Sequence, residues 1–311
     1  MKLVSIIIPA YNVENYISQC LQSVINQTYA SFECIIINDG STDKTLDIIE
    51  CFAKKDYRIK FFSVSNGGQA NARNLGIEKS QGEYLCFVDS DDVISHDYLA
   101  NLINCIESTG SDVAICDYTS KSTDLGGDSD FKMTVYSSKT SIMNNYFNNM
   151  SYLFVVPWNK LYKKYLFQEI RFPLGTIYED EGTTYKVLYS ADNIVVIPQK
   201  LYYYRQREGS TMNTGLSKSN LVLFDRLSEM VDFFQDKKET KFVKKSQIRL
   251  LKVAIIYVFK IKKILNNDIN TYNKCLYDLF EMNFNYYIKK YSLVYMKQYL
   301  YLYGYLKTHD L

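Results

Sequence analysis

Three aspartates stand within four residues at Asp89-Ser90-Asp91-Asp92, directly after the apolar run at residues 84–88. The run is short and combines aromatic with β-branched side chains, which is typical of a buried strand. Carboxylates at the carboxyl end of such a strand lie in the crevice where open α/β sheets bind ligands. Because neighbouring carboxylates repel one another and no His or Cys lies among them, the pattern favours Mg²⁺ or Mn²⁺, with substrate phosphates completing the shell. The alternative is a solvated acidic turn.

Two further polar segments also end predicted strands. They are P-A-Y-N at residues 9–12 and N-D-G-S-T-D at residues 38–43, and in a parallel sheet both would share the crevice edge with the aspartates. Tyr11 could stack on a planar base, and the Asp39 carboxylate could accept a hydrogen bond from a ring N–H. Taken alone, the second segment is more simply a tight turn with Thr42 as a helix cap.

Residues 66–74, N-G-G-Q-A-N-A-R-N, combine two glycines with a basic side chain near the start of a predicted helix. The glycines permit a close approach of the backbone. Arg73 is expected in the first turn or so of the helix. Because a helix N-terminus and a guanidinium both attract anions, the segment predicts a site for a polyanion such as a diphosphate.

An alternation of strand and helix patterns through residues 1–117 predicts the scaffold that positions these segments. The predicted strands are 3–9, 32–37, 59–64, 84–88 and 112–116. The predicted helices are 14–27, 43–55 and 69–80, with a fourth capped by Ser95. This βαβα order implies an α/β fold with a mostly parallel sheet and helices on both faces.

The chain of 311 residues changes character towards its end. Residues 118–136 are predicted to be a loop, and residues 137–205 are mixed, with strands at 194–197 and 201–204. Helical patterns then follow at 216–234, 242–265 and 271–306. Residues 1–100 contain eight basic and thirteen acidic residues, whereas residues 216–311 contain seventeen basic and nine acidic ones. We therefore expect two domains, an α/β domain at 1–215 and a helical domain at 216–311.

Seven cysteines, an odd number without C-x-x-C spacing, argue against a disulfide framework or a zinc site. The N-terminal segment lacks the features of a signal peptide, and no apolar run approaches the roughly 18–20 residues of a membrane span. We expect a cytoplasmic protein, with peripheral contact at the inner face of a membrane left open.

Taken together, the four motifs P-x-Y-N, N-D-G-S-T-D, N-x-G-x-x-x-A-R-N and D-S-D-D resemble those of family-2 glycosyltransferases, inverting GT-A enzymes of the bacterial surface-glycan type. The resemblance covers roughly residues 1–205. It implies a UDP-sugar donor and a Mn²⁺ or Mg²⁺ cofactor held by Asp91. The donor-binding residues it implies are Pro9, Tyr11 and Asp39 at the base, Asn71 and Arg73 at the base or diphosphate, and Asp89 at the ribose, with Ser90 beside them. Asn38 stands where many relatives carry the first Asp of a D-D-G pair. The acid expected to bind the base is the second one, Asp39, which is present.

On the acceptor side, Y-E-D-E at residues 178–181 is similar to the family motif that supplies the general base, which would be Asp180. An inverting transfer needs a carboxylate on the face of the sugar opposite the leaving UDP, where it takes the proton of the attacking hydroxyl. The alternative is that Glu179, Asp180 and Glu181 merely form an acidic first helical turn.

Two other segments are similar to parts of the family. P-W-N-K-L-Y at residues 157–162 matches a segment near the sugars, where Trp158 could stack on a sugar face or fill the core. R-Q-R-E-G-S at residues 205–210 resembles the mobile loop that folds over the diphosphate, which assigns Arg207 to the donor. The Q-x-x-R-W signature of processive synthases is missing. This indicates addition of one sugar per encounter.

The predicted function is transfer of glucose, galactose or an N-acetylhexosamine from a UDP-sugar to a hydroxyl of a surface polysaccharide, glycoprotein glycan or lipid-linked acceptor. A nucleotidyltransferase would need a triphosphate-gripping Gly/Lys loop, which the sequence lacks. The protein would instead be a non-catalytic, glycan-binding relative if Asp180 did not lie where a base is needed. A nucleic-acid-binding module could use the basic rear, but an acidic crevice repels phosphate without metal.

Ten tyrosines follow residue 271, and four of them, Tyr287, Tyr291, Tyr295 and Tyr299, recur every four residues. This spacing is most often that of a helix-packing stripe. It could equally provide a surface for a membrane or lipid-linked acceptor, for a peptide or glycan, or for a homodimer.

Overall fold

The protein is described by a computed structural model at residues 1–126, 131–149, 152–175, 177–207 and 218–267. The contacts within the chain divide it into two compact units, Met1–Ser210 and Thr211–Leu311. The predicted helix at 271–306, with its recurring tyrosines, lies outside the described residues. Each unit is considered by itself below.

The first unit alternates strands and helices along most of its length, as the sequence predicts. Its strands are β1 (Val4–Ala10), β2 (Phe32–Asp39), β3 (Ile59–Val64), β4 (Tyr84–Phe87), β5 (Val93–Ile94), β6 (Val113–Thr119), β7 (Thr134–Tyr136), β8 (Lys160–Lys163) and β9 (Ile194–Tyr203). Its helices are α1 (Ile17–Ile25), α2 (Thr45–Lys55), α3 (Gln69–Lys79), α4 (Tyr98–Thr109), α5 (Lys139–Asn149), α6 (Tyr152–Val155) and α7 (Thr184–Ser190).

All of these strands join one mixed sheet in the order β3-β2-β1-β4-β8-β6-β9-β5, with β7 on the flank of β9. The longest ladders are parallel, namely β1 with β2, β2 with β3 and β6 with β9. Because β8 is antiparallel to both β4 and β6, strands β6 and β9 run in the same direction as β1. The carboxyl ends of β1, β2, β4, β6 and β9 therefore open onto one edge of the sheet, where ligands of such sheets bind.

The central strands β1 and β2 are buried at every residue, which explains why their sequences are continuous apolar runs rather than alternating ones. One face of the sheet packs against α1 and α4, and the other face packs Ile35 and Ile37 against Ala72 of α3. A Cβ atom on Gly76 of α3 would lie 2.3 Å from Cγ2 of Ile7. This glycine is therefore what allows α3 to lie close to β1.

The structure corrects several sequence predictions. The strands predicted at 194–197 and 201–204 are one strand, β9, and the loop predicted at 118–136 includes the end of β6 and all of β7. Thr42 does not cap α2, because this helix begins at Thr45. Instead Oδ1 of Asp43 accepts a hydrogen bond from the Thr45 N–H at 3.0 Å. The six described cysteines are unpaired thiols, and all except Cys51 are buried.

In the second unit, α8 (Val222–Asp236) and α9 (Thr240–Asn267) confirm the helices predicted at 216–234 and 242–265. They pack as an antiparallel pair, with Phe234 of α8 beside Phe242 of α9 at a ring-centroid distance of 5.4 Å. At the other end Phe224 lies 5.7 Å from Tyr257. Of the helices in the described ranges, none combines the length and the apolar composition of a membrane span.

Candidate active site

The turn that follows β3 is built around the carboxylate of Asp39, the last residue of β2. Its Oδ1 accepts a hydrogen bond from the Gly67 N–H and its Oδ2 one from the Gly68 N–H, both at 2.8 Å. The Asn66 side chain donates to the Asp39 carbonyl at 3.0 Å. A Cβ atom on Gly67 would lie 2.6 Å from the amide nitrogen of the Asn71 side chain, so a larger residue there would displace that side chain. Asp39 thus shapes the predicted base site, and its contact with the base itself stays a prediction.

The loop after β1 is tied to the loop after β2. The side-chain oxygen of Asn12 accepts a hydrogen bond from the Thr42 N–H at 2.8 Å, and the Asn12 N–H donates to Ser41 Oγ at 3.1 Å. Pro9 is buried one residue before the end of β1, whereas the Tyr11 side chain beyond it is 48% exposed. A large exposed aromatic ring therefore stands at the crevice edge, as stacking on a base requires.

Arg73 lies in the second turn of α3 and is only 2% exposed. Its guanidinium donates to Glu179 Oε1 at 2.6 Å and to Asp89 Oδ1 at 2.8 Å, and it lies 5.4 Å from the centre of the Phe172 ring. Burial disfavours the charged guanidinium, but the carboxylates of Asp89 and Glu179 outweigh this effect and raise its pKa above the usual value. The structure thus places Arg73 on two protein carboxylates, and its predicted contact with the donor stays a prediction.

The other acids of the motif after β4 are held by the end of β9. Asp92 is buried and accepts hydrogen bonds from the Tyr202 hydroxyl and the Arg205 N–H, both at 2.8 Å. The Tyr202 hydroxyl also accepts from the Asp89 N–H at 3.1 Å. Burial raises the pKa of both Asp89 and Asp92, and repulsion from Asp91 adds to it. The cluster therefore favours an added positive charge.

Asp91 meets a basic side chain that the sequence assigns to the donor site. Its Oδ2 accepts a hydrogen bond from Arg207 Nε at 2.5 Å, and its carbonyl accepts one from Arg205 Nε at 2.8 Å. The Asp91 side chain is 20% exposed, and its Oδ1 accepts no hydrogen bond from the residues that the structure describes. Two predicted site residues, Asp91 and Arg207, are thus in direct contact.

A divalent cation fits this acidic cluster if the ligand supplies further oxygens. Asp91 offers the free carboxylate oxygen, and Mg²⁺ and Mn²⁺ are commonly held by one or two carboxylates together with substrate phosphates. Ser90 beside it is buried, at 5% exposure. Within residues 1–126, 131–149, 152–175, 177–207 and 218–267, no group of three or more His, Cys, Asp or Glu side chains is arranged to hold a metal ion.

Asp180 lies in a turn before α7, which begins at Thr184. Its carbonyl accepts a hydrogen bond from the Thr184 N–H at 2.9 Å, and its Oδ1 accepts one from the Glu181 N–H at 2.8 Å. The three acids at residues 179–181 therefore lie in the turn that leads into α7, and the role of Asp180 as a base stays a prediction. Burial, with the charges of Glu179 and Glu181, raises the pKa of Asp180 to about 7. A carboxylate with a pKa near neutrality suits a general base.

Trp158 lies inside the protein, at 4% exposure. Its indole stacks on Tyr202 at 4.3 Å and on Tyr204 at 5.5 Å, and it meets Tyr118 edge to face at 5.2 Å. These are the contacts of a core side chain, and a contact with a sugar stays a prediction. Through Tyr202, the same cluster supports the acids after β4.

Comparisons with known proteins agree with the fold and identify the family. Residues 5–171 match the model of the family described as glycosyl transferase family 2. The glycosyltransferase GlyA of Streptococcus pneumoniae serotype 4 is 36% identical over 238 residues, which are 73% of this chain and 34% of GlyA. The poly(ribitol-phosphate) beta-N-acetylglucosaminyltransferase TarS of Staphylococcus aureus is 31% identical over 219 residues, which are 68% of this chain and 37% of TarS. The chain thus corresponds to about a third of each relative.

Solved structures show the same architecture. The crystal structure of TarS residues 1–349 in complex with UDP-GlcNAc gives a TM-score of 0.65 at 22% identity, covering 91% of this chain and 80% of that one. The mannosyltransferase PcManGT of Pyrobaculum calidifontis, in complex with GDP-Man and Mn²⁺, gives 0.56 at 14% identity, covering 99% and 87%. The fold of this protein is the GT-A fold. The chain belongs to glycosyl transferase family 2.

Proposed function

We propose that the protein is an inverting, metal-dependent glycosyltransferase that moves a hexose from a UDP-sugar to an acceptor hydroxyl. The arrangement around Arg73 carries this proposal, because the guanidinium bonds to Asp89 of the acidic cluster and to Glu179, the neighbour of Asp180. One buried side chain therefore brings a cation-attracting cluster and a carboxylate of neutral pKa to the same crevice. A transfer from a nucleotide diphosphate needs both features.

In the donor half, the exposed ring of Tyr11 stacks on the uracil, and Asp39 faces its ring N–H. Both Asp39 oxygens already accept one backbone N–H, but each carboxylate oxygen can accept a second hydrogen bond. Asn71, beside the glycine turn, faces the diphosphate, and Asp89 and Ser90 face the ribose. Pro9 supplies the backbone below the base.

Asp91 is the residue that would hold the Mn²⁺ or Mg²⁺ ion. When bound, the ion supplies neutralisation of the charge that gathers on the departing diphosphate. Arg207, which lies on Asp91, and Arg205, which lies on the backbone of the same loop, add positive charge at this place. These two side chains orient the diphosphate and reduce its repulsion by the three aspartates.

In the acceptor half, Asp180 is the base. As the acceptor oxygen attacks the anomeric carbon, its proton passes to the Asp180 carboxylate, and the bond from that carbon to the UDP oxygen breaks with both electrons leaving on UDP. The new bond forms on the face opposite the leaving group, so the configuration inverts. With its pKa at about 7, Asp180 is ionised in about half of the molecules at neutral pH.

The donor sugar we favour is N-acetylglucosamine, because TarS is named as an N-acetylglucosaminyltransferase and its structure contains UDP-GlcNAc. Glucose and galactose are the other candidates. The acceptor is a hydroxyl of a surface polysaccharide, a glycoprotein glycan or a lipid-linked glycan, and one sugar is added per encounter. We propose that the enzyme acts in the cytoplasm, in contact with the inner face of the membrane.

The test is release of UDP from UDP-GlcNAc, UDP-glucose and UDP-galactose, measured with Mn²⁺ and with EDTA in the presence of saccharide acceptors. We expect turnover with one donor, suppressed by EDTA and lost in Asp180→Asn. Asp47→Asn, a matched change at an exposed site on α2, should turn over like the native chain. Turnover by Asp180→Asn at the native rate would refute the assignment of Asp180 as the base.

The same assay separates the alternatives. Binding of glycans without release of UDP from any donor would identify a non-catalytic relative. Release of pyrophosphate from a nucleoside triphosphate, instead of UDP from a UDP-sugar, would identify a nucleotidyltransferase. Either result would refute the proposed function.

A further inference from the structure

Helix α3 holds the segment that leads to Asp180 through two consecutive side chains. Asn74 donates from Nδ2 to the Phe172 carbonyl at 2.8 Å and accepts the Phe172 N–H at 2.9 Å. Arg73 bonds to Glu179, 106 residues away along the chain. The segment from Phe172 to Glu179 is therefore fastened to α3 at both ends.

The fastening at Glu179 is made in the interior. The Arg73 side chain is 2% exposed, and the Glu179 side chain is 12% exposed. Two of the three guanidinium nitrogens reach a carboxylate each, while the buried Nε has no hydrogen-bond partner among the residues that the structure describes. Because burying an ion pair costs much of what the pairing returns, its contribution to stability is a weak reason for its presence.

Position is a better reason. Asp180 follows Glu179 directly, and Tyr178 before it adopts a φ of 64°, the left-handed region that a bulky residue rarely occupies. A turn of this kind keeps its form only when its surroundings determine it. The bond between Glu179 and Arg73, with a donor–acceptor distance of 2.6 Å, is a charge-assisted contact from outside this turn, and the Thr183 hydroxyl also donates to the Glu179 carbonyl at 2.7 Å.

On the basis of the proposed role of Asp180, we propose that Glu179 and Arg73 form a positioning pair that sets the place of the catalytic base relative to Asp89. Arg73 holds both acids with one rigid, planar group, so the base and the acidic cluster keep a fixed separation. Neither Glu179 nor Arg73 needs to touch a substrate for this purpose. The pair acts through Asp180.

Ionisable side chains from its own turn, from α3 and from β8 act on Asp180. Glu179 and Glu181 raise its pKa, whereas Arg73 of α3 lowers it. Lys160 of β8 is a further titratable neighbour. Burial lowers its pKa well below the usual value, and its Nζ donates to the carbonyls of Leu153 and Val156. Removing the charge of Glu179 therefore lowers the pKa of Asp180. A shorter acid at residue 179 keeps that charge and mainly changes the position of Asp180.

Two variants separate position from charge. Glu179→Asp keeps the charge but shortens the side chain by about 1.5 Å. The shorter acid can reach Arg73 only if the turn that carries it moves. Glu179→Gln keeps the length but removes the charge. Arg58→Lys is the matched control, because Arg58 also pairs with an acid, Asp56, but at the start of β3, on the opposite edge of the sheet.

For Glu179→Asp we expect kcat to fall about 10- to 100-fold, the usual cost of a misplaced catalytic group. The affinity for UDP with Mn²⁺ should change less than about threefold, because the lost contact is not made to the donor. The acid limb of kcat/KM should stay where it is in Glu179→Asp and move to lower pH in Glu179→Gln. Arg58→Lys should lower the melting temperature without changing kcat.

Amide hydrogen exchange gives a readout that does not depend on the donor. In Glu179→Asp and Glu179→Gln the amides of residues 178–183 should exchange faster, and in Arg58→Lys they should not. If the native chain transfers no sugar, the proposed function fails while the exchange result still decides the positioning pair. If Glu179→Asp does not fold, Arg73→Lys carries the same measurements, because it keeps the positive charge but loses the planar group that reaches both acids.

Two outcomes would overturn the pair. One is native kcat together with native exchange in the variants of Glu179. The other is a loss of UDP affinity as large as the loss of kcat, which would place Arg73 and Glu179 in the donor site itself.

Discussion

The dependence of transfer on pH tests the proposed base most directly, because the environment of Asp180 sets a value that an ordinary aspartate does not have. Burial and the charges of Glu179 and Glu181 raise its pKa from 3.8 to about 7, and Arg73 offsets only part of this rise. The base works when it is ionised. Activity should therefore increase with pH through neutrality.

The size of the effect follows from the titration of one group. If Asp180 must be ionised, kcat/KM for the acceptor should be half of its plateau near pH 7, about tenfold below it at pH 6 and about a hundredfold below it at pH 5. An aspartate of ordinary pKa would show no loss in this range. Glu181→Gln, which removes one of the raising charges, should move the limb to lower pH.

The assay is the initial rate of UDP release at saturating donor and Mn²⁺, measured from pH 5 to 8 in buffers of constant ionic strength. The pH dependence of kcat/KM for the acceptor is informative because it reports the donor-bound enzyme before the acceptor enters, in which Asp180 has not yet received a proton from the acceptor. Binding of UDP with Mn²⁺ is measured over the same range, so that protonation of the acidic cluster is recognised as a loss of donor affinity.

Two results would refute the reasoning. A flat profile down to pH 5 would mean that the base has an ordinary pKa or that no base is needed. An unchanged acid limb in the residual activity of Asp180→Asn would assign the titration to another group.

Three further predictions concern single side chains. Asp91→Ala should abolish Mn²⁺-dependent binding of UDP, and unchanged affinity in calorimetry would exclude Asp91 as the metal ligand. Gly76→Ala should destabilise the fold by about 1–3 kcal/mol in urea titration, because its Cβ would overlap Ile7; a native midpoint would mean that α3 moves away without cost. Trp158→Ala should cost about 3–5 kcal/mol, since it empties a stacked cluster, and a smaller loss would count against its place in the core.

Much of the first unit is predictable because its elements are punctuated in the sequence. Strand β3 and the start of α3 agree with their predicted bounds, since turn residues flank them. Strand β5 has only two residues, too few for a periodic pattern. Pro198 made β9 look like two strands, but its register with β6 shifts nearby and β9 continues past the proline. Local patterns thus fail where long-range pairing decides.

The candidate site divides in the same way. Residues at or just after the carboxyl ends of strands, such as Tyr11, Asp39 and Asp91, can be placed at one edge of the sheet from the sequence, because parallel strands bring these ends together. Tyr202 and Arg205 escape this reasoning, since their contacts with Asp92 depend on the return of the chain in β9, 110 and 113 residues later. The partners of Arg73 also escape it. A basic residue in a glycine-rich motif favours an anionic ligand, and the sequence does not show that the side chain bonds to Asp89 and Glu179.

The burial of Arg73 changes what the family motif means in this chain. A guanidinium that faced the diphosphate would be exposed in the free protein and would give its binding energy to the donor. Here two carboxylates of the protein itself enclose the same group. An interaction made within the protein does not distinguish one donor from another. It can hold the base and the acidic cluster at a fixed separation, and this is the condition under which proximity lowers a barrier.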